Sequence, residues 1–183
     1  MQIPNYDYTF KILLLGDASV GKTSFTKRYC YNIFNPSERL TIGVDFHVKT
    51  IELDHKGSTK KIKLQIWDIG GEERFRFLLP TYCLGANAAF LLYDITRPST
   101  LDNIPAWTTI VRQKGGAIPI MLIGSKADLA PEQRKIPLEQ GAQISEKNKL
   151  SGFKEISAKN DNNVNKAFEK LSNWTLEKME SKL

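Results

Sequence analysis

The stretch Gly16-Asp17-Ala18-Ser19-Val20-Gly21-Lys22-Thr23 carries the spacing G-x-x-x-x-G-K-[ST], a pattern able to hold phosphate. Its glycines let the chain turn tightly and aim successive backbone N–H groups at one point. A helix starting there adds its partial positive charge to the same point. Lys22 supplies a full charge for outer phosphates, and the Thr23 hydroxyl can ligate Mg²⁺. The candidate phosphate contacts are therefore Ala18, Ser19, Val20, Gly21, Lys22, Thr23 and Ser24. This motif alone leaves ATP and GTP both open.

A second group reads a base. Gly124-Ser125-Lys126-Ala127-Asp128 follows an apolar run ending at Ile123. In an open α/β sheet, ligands lie outside the carboxyl ends of strands. An Asp there accepts from both the imino and the exocyclic amino group of guanine, a donor pair that adenine lacks. The Lys126 stem can lie flat over the base, and a backbone N–H within Ser157-Ala158-Lys159 can donate to the guanine carbonyl. Alone, S-K-x-D also fits a solvated loop; its order after the phosphate loop favours guanine.

The elements that must position these groups are legible as hydrophobic periodicity. Phe10 to Leu15 reads as a buried strand and Lys22 to Tyr31 as a helix. Val44, Phe46 and Val48 alternate with polar residues, as do Ile62, Leu64 and Ile66, and Lys56-Gly57-Ser58 joins these strands as a hairpin. Ala88 to Tyr93 and Ile118 to Ile123 are apolar throughout, as strands covered on both faces should be. A short strand at Phe153 to Ile156 precedes a helix with Val164, Ala167, Phe168, Leu171 and Trp174 on one face. This alternation predicts an α/β fold: a six-stranded, mostly parallel sheet with one antiparallel edge strand and helices on both faces. Residues 1–183 read as a single domain.

Composition narrows the partners. The net charge of +6 comes from lysines spread along the chain, which reads as a solvated surface and not as a nucleic-acid tract. Cys30 and Cys83 are too few for a disulfide framework and read as reduced thiols in a cytoplasmic protein. No apolar run is long enough to cross a bilayer. The first residues lack the basic and apolar regions of a signal peptide, and Gln2 stands where N-myristoylation needs glycine. The C-terminal Ser181-Lys182-Leu183 matches a peroxisomal address of low specificity.

From about Tyr8 to Leu176 the chain resembles the Ras superfamily, and most of all its Rab branch. Thr41-Ile42-Gly43-Val44-Asp45-Phe46, Lys63-Leu64-Gln65-Ile66-Trp67-Asp68 and Leu92-Tyr93-Asp94-Ile95-Thr96 carry the Rab flavour. The resemblance implies the P-loop GTPase fold, binding of GTP and GDP with Mg²⁺, and slow GTP hydrolysis. It implies that Thr23, Thr41 and Asp68 hold Mg²⁺, the last through water. Phe34 would pack edge-on against guanine, and the Gly71 N–H would sense the γ-phosphate. Lys22, Thr41, Gly71 and the residue at position 72 would serve the hydrolysis. Phe46, Trp67 and Tyr82 would carry binding of effector, exchange-factor and activating proteins by a monomeric chain. Trp67 is expected to be exposed, because lysines and Gln65 take the outer face of its strand.

The chain departs from the family pattern at three places: before the base-reading lysine, in the stretch after Asp68, and at the C-terminus. Ser125 replaces an asparagine before the base-reading lysine, and with its shorter side chain is expected to reach the base or the phosphate loop less well. Gly70 replaces an alanine, adding freedom to switch II. Glu72 replaces the water-positioning glutamine, and its charge is repelled by phosphate, so an outward-turned Glu72 is expected. The C-terminal residues Lys178 to Leu183 offer no cysteine for a prenyl anchor, so no stable membrane attachment is expected. Two rivals remain: a nucleotide-binding scaffold with negligible hydrolysis, kept alive by Glu72, and a small-molecule kinase, opposed by the order of the motifs.

Overall fold

A computed structural model describes residues 5–181. Six strands form one sheet in the order β2-β3-β1-β4-β5-β6. They span Tyr8–Leu15 (β1), Val44–His55 (β2), Ser58–Ile69 (β3), Ala88–Asp94 (β4), Ile120–Ser125 (β5) and Gly152–Glu155 (β6). Only β2 runs antiparallel, paired with β3 from Val44 opposite Ile69 to His55 opposite Ser58; the other pairings are parallel. The hairpin closes through Lys56 and Gly57, with φ of 49° and 79°. Positive φ at both central residues gives the turn a twist that matches its strands.

The helices are Lys22–Tyr31 (α1), Leu79–Cys83 (α2), Pro98–Asp102 (α3), Ile104–Gly115 (α4), Leu138–Lys147 (α5) and Val164–Glu180 (α6). Alternate residues of the central strands point to opposite faces. Phe10, Ile12 and Leu14 pack with Phe25 of α1 and Phe168 of α6; Leu13 and Leu15 pack with Trp107 and Val111 of α4. Phe168 stacks on Tyr29, ring centroids 3.7 Å apart, and meets Phe25 and Phe90 at 4.8 Å. Truncating a ring so enclosed costs about 3–5 kcal/mol in typical cores. Every residue of β4 and β5 is buried, as their unbroken apolar runs require.

Boundaries of the three apolar-run strands shift by two residues at most from the sequence reading, whereas the hairpin strands run well past the alternating residues, to His55 and to Ile69: β1 starts at Tyr8, and β5 runs to Ser125 because Gly124 and Ser125 still pair with Tyr93 and Asp94. Trp174 is half-buried, its ring over Gly152. Trp67 corrects the expectation of exposure. It is half-buried, with Phe46 packed edge-on at 4.5 Å and the Lys11 ammonium 3.7 Å from its ring centre. The lysine stem covers apolar area while its head stays at the surface. Cys30 and Cys83 are both free. No described helix is long and apolar enough to cross a membrane. Met1 to Pro4, with Gln2, and Lys182 and Leu183 of the C-terminal tripeptide lie outside the described residues.

Candidate functional site

The sheet order reverses at β1: the chain leaves it toward β3 on one side and β4 on the other. The crevice above that point is the expected ligand position in such folds. A cleft of about 410 Å³ lies there, lined by Ala18, Ser19, Gly21, Lys22, Thr23, Ser24, Phe34, Thr41, Gly71, Glu72, Ser125, Lys126, Asp128, Ala158 and Lys159. Three further sequence candidates stand just behind its wall: Val20, Asp68 and Ser157 are buried. The separate motifs thus meet in one cavity.

The loop after β1 is tightly turned, with φ of 143° at Gly16, 61° at Ser19 and 98° at Gly21. Lys22 opens α1 and is 6 % exposed. Its Nζ donates to the carbonyls of Gly16 (2.9 Å) and Asp17 (2.8 Å). Burial brings this ammonium down to about 8, against the raising influence of Asp68 and Asp17.

Thr23, Thr41 and Asp68 come from three different segments and converge. Thr23 Oγ1 donates to Asp68 Oδ2 at 2.5 Å and lies 2.8 Å from Thr41 Oγ1, which is 3.5 Å from the same carboxylate oxygen. Asp68 is fully buried, and its Oδ1 finds no hydrogen-bond partner among the described residues. Burial pushes its carboxyl up, against the Thr23 hydrogen bond and the Lys22 charge. Two hydroxyls and a carboxylate with an unsatisfied oxygen are the hard oxygen donors that Mg²⁺ takes, usually through one or two carboxylates and retained waters. The residues present fit that ion.

Gly70 sits here for a reason other than freedom. A Cβ at this position would lie 2.4 Å from the Thr41 carbonyl oxygen and 3.2 Å from that of Gly43. The Gly70 N–H donates to the Gly43 carbonyl at 2.8 Å, continuing the β2–β3 ladder by one bond. The missing side chain therefore permits a close approach of the Thr41 segment, which corrects the reading of added flexibility. Gly71 is likewise pressed onto the phosphate loop: its Cβ would meet Asp17 C at 2.3 Å and Gly16 O at 2.4 Å. Glu72 turns to Arg74, with Oε2 accepting from Nη2 at 3.1 Å.

At the other end of the cleft, Lys126 adopts φ of 64° and Asp128 follows in a short 3-10 turn. Ser157 Oγ donates to Asp128 Oδ1 at 2.7 Å and accepts from the Asn160 N–H at 3.0 Å, fixing the carboxylate from behind. Ser125 corrects the expectation of short reach. Its hydroxyl lies 2.5 Å from the Val20 carbonyl and 2.9 Å from that of Tyr93. A single proton serves two acceptors.

The first 167 residues from Lys11 onward, 11–177, match the family model described as Ras family. The chain belongs to the Ras family. Curated relatives include Rab-named proteins: it is 41% identical over 165 residues to mouse Ras-related protein Rab-19, covering 90% of this chain and 74% of that one. It is 44% identical over 163 residues to Ras-related protein RABA4a of Arabidopsis thaliana, covering 88% and 70%. It is 42% identical over 169 residues to GTP-binding protein ypt2 of Schizosaccharomyces pombe, covering 92% and 82%. The chain is thus a Rab-like small GTPase.

Residue-by-residue reasoning missed a second layer. Asp17 accepts from Asn103 Nδ2 (2.7 Å) and Trp107 Nε1 (2.9 Å), and Arg76 lies 3.6 Å from it while stacking on Trp107. Asp94, 1 % exposed, accepts from Lys126 Nζ at 2.6 Å and from Arg97 Nε at 3.2 Å. In the sequence Asp17 showed only as a member of the phosphate motif and Asp94 only as a member of the Leu92–Thr96 segment.

Proposed function

We propose that this Rab-like chain is a Mg²⁺-dependent guanine-nucleotide switch that binds GTP and GDP and hydrolyses GTP slowly. The observation that carries this reading is the convergence of the phosphate loop, the Asp128 carboxylate and the Thr23–Thr41–Asp68 trio in one cleft. Backbone N–H groups of Ala18 to Ser24 bind the phosphates. Lys22 Nζ trades the Gly16 and Asp17 carbonyls for phosphate oxygens. Asp128 accepts from guanine, with Ser157 holding it in place; Lys126 packs over the base, and the Ala158–Lys159 backbone meets the guanine carbonyl. Phe34 covers the base edge. Mg²⁺, when bound, neutralises phosphate charge; Thr23, Thr41 and Asp68 would hold it.

In the GTP form, the Thr41 segment and the Gly71 N–H engage the γ-phosphate, so the two segments 35–46 and 68–81 report which nucleotide is bound. Phe46 is exposed at the start of β2, beside Trp67 and Tyr82, and offers partner proteins a surface that this report can alter. A role in membrane trafficking or signalling fits a Rab-like switch.

Glu72 governs the rate. The family's glutamine orients the attacking water. Here the carboxylate is paired with Arg74, cannot donate toward phosphate, and is repelled by it; unit charges at ~4 Å repel by about 4 kcal/mol near a surface. The same pair favours a second reading, a nucleotide-holding scaffold with negligible hydrolysis. Chromatography of nucleotide released on denaturation should yield GDP or GTP, and adenine nucleotides alone would end the guanine reading. In single-turnover assays with Mg²⁺, Glu72→Gln should be faster than the parent and Glu72→Ala close to it. A much slower Glu72→Ala makes Glu72 a catalytic base instead, and no turnover in parent or Glu72→Gln leaves the scaffold.

A further inference from the structure

For a loop to aim N–H groups at phosphate, its carbonyls must point the other way, into the protein, where each needs a donor. The carbonyls of Gly16 and Asp17 are taken by Lys22. The next three, around the turn itself, are each capped from a different side chain. Ala18 O accepts from Arg97 Nη2 at 2.9 Å, Ser19 O from Lys126 Nζ at 3.0 Å, and Val20 O from Ser125 Oγ at 2.5 Å. Between the first two caps sits Ser19, held at φ of 61°. That left-handed conformation costs a non-glycine residue of order 1 kcal/mol or more and persists only when its surroundings impose it.

Both charged caps converge on the buried Asp94. Its Oδ2 receives Arg97 Nε and Lys126 Nζ, while Oδ1 receives the Thr96 N–H (2.9 Å) and hydroxyl (2.7 Å). Burial alone would raise this carboxyl, but the Lys126 and Thr96 hydrogen bonds together outweigh it and hold it below the ordinary carboxylate value. Arg97 itself is fixed by a tight turn: its N–H donates to Asp94 O at 2.9 Å, and its carbonyl accepts from the Thr100 hydroxyl at 2.7 Å.

We infer that Arg97 is a positioning residue for the phosphate loop: its guanidinium, anchored on Asp94, caps the Ala18 carbonyl and holds the strained Ala18–Ser19 turn in the shape that receives the nucleotide's phosphates. Arg suits the task because its planar fork fixes the geometry between the two acceptors, Nε on Asp94 and Nη2 on the Ala18 carbonyl, which a freely rotating ammonium does not. The cap carries added weight in this chain. Ser125 divides one proton between Val20 O and Tyr93 O, where an asparagine has two to donate. The inference rests on the proposed nucleotide site and adds a residue that the motifs do not contain.

The test is the release rate of a fluorescent GDP analogue and a slowly hydrolysed GTP analogue from the full chain, chased with excess nucleotide. Arg97→Ala should release both about tenfold faster, since one charge-assisted hydrogen bond is lost from a loop that both nucleotides share. Arg97→Lys should recover part of the loss. The ratio of GDP to inosine diphosphate release should stay that of the parent, because the base wall keeps Asp128. Release from Arg97→Ala within twofold of the parent overturns the inference, as does a loss of discrimination between GDP and inosine diphosphate, which would put Arg97 in the base wall. Should Arg97→Ala not fold, Arg97→Lys decides: release at the parent rate overturns, release severalfold faster supports. A parent that binds no guanine nucleotide overturns the proposed function and this inference with it, whereas an unaffected variant of a parent that binds overturns this inference alone.

Discussion

The cleft has a wall in which every carbonyl from Gly16 to Val20 has a donor, and facing it a segment, 34–42, that joins no helix or strand, with a turn at 36–37 and the Ser37 N–H on Asn35 Oδ1 at 2.9 Å. The first wall is tied to β4 and β5 through Asp94 and Ser125, both nearly inaccessible to solvent. The second is held by less: Phe34 packed against the core, the Lys27–Glu38 pair at 2.9 Å, the Thr41 hydroxyl beside Thr23, and the Gly70–Gly43 bond where β2 begins. Ile42 on this side is 73 % exposed, and Phe77 beyond Glu72 is 74 % exposed. Low local stability of this kind is what a conformational switch needs. In the proposed binding mode the inner phosphates and most of the base face the first wall, Phe34 reaches the base edge from the second, and the γ-phosphate faces the Thr41 side.

If the first wall recognises the base rigidly, its disruption should give the largest effect. Asp128→Asn removes a charged acceptor from a carboxylate already fixed by Ser157, so GDP binding should weaken by about 2–3 kcal/mol, roughly a hundredfold. An amide there donates as well as accepts, so affinity for xanthine nucleotides should rise. Titration calorimetry with GDP and XDP checks both; a variant that keeps its preference for GDP would break the contrast between the walls.

The second wall should respond selectively. A Cβ at Gly70 would overlap the Thr41 carbonyl oxygen, so Gly70→Ala must displace one segment or the other. Overpacking of this size costs about 1–3 kcal/mol. That cost falls on the closed arrangement, so affinity for a GTP analogue should drop about tenfold while GDP binding changes little. Equal weakening of both nucleotides would mean that Gly70 acts on the first wall, through Gly71 and the phosphate loop.

How much of this was visible in the sequence divides along the same line. Phe10 to Leu15, Lys22 to Tyr31 and the hairpin at Lys56-Gly57 were legible because periodicity and turn chemistry are local. The phosphate and base motifs were legible because fixed spacing forces their chemistry. Trp67, Ser125 and Gly70 misled for one reason: each has its decisive neighbour far along the chain. Lys11 crosses from β1 to cover Trp67, Val20 brings its carbonyl to Ser125, and Thr41 packs on Gly70. The Asp17 and Asp94 networks were hidden likewise, since nothing local distinguishes Arg97 or Trp107 from ordinary surface and core residues.

The smallest effect belongs far from the cleft, where the hairpin tip meets the end of α6. Glu180 Oε2 accepts from Lys56 Nζ at 2.7 Å and lies 3.1 Å from His55 Nε2. The Lys56 hydrogen bond, aided by His55, holds the Glu180 carboxyl below its ordinary value of 4.5. A carboxyl whose folded value is depressed contributes stability above its unfolded value and loses it as pH falls through the folded one. Glu180→Gln should therefore lower Tm at neutral pH by only roughly one or two degrees, as solvent-accessible ion pairs do. The gap between parent and variant should narrow as an acid pH below 4.5 is reached and the parent's carboxyl takes up its proton. Nucleotide release should be untouched, because no wall of the cleft includes these residues. Scanning calorimetry at the two pH values decides the matter: a gap that persists in acid would show that Glu180 acts through packing on His55 and not through charge.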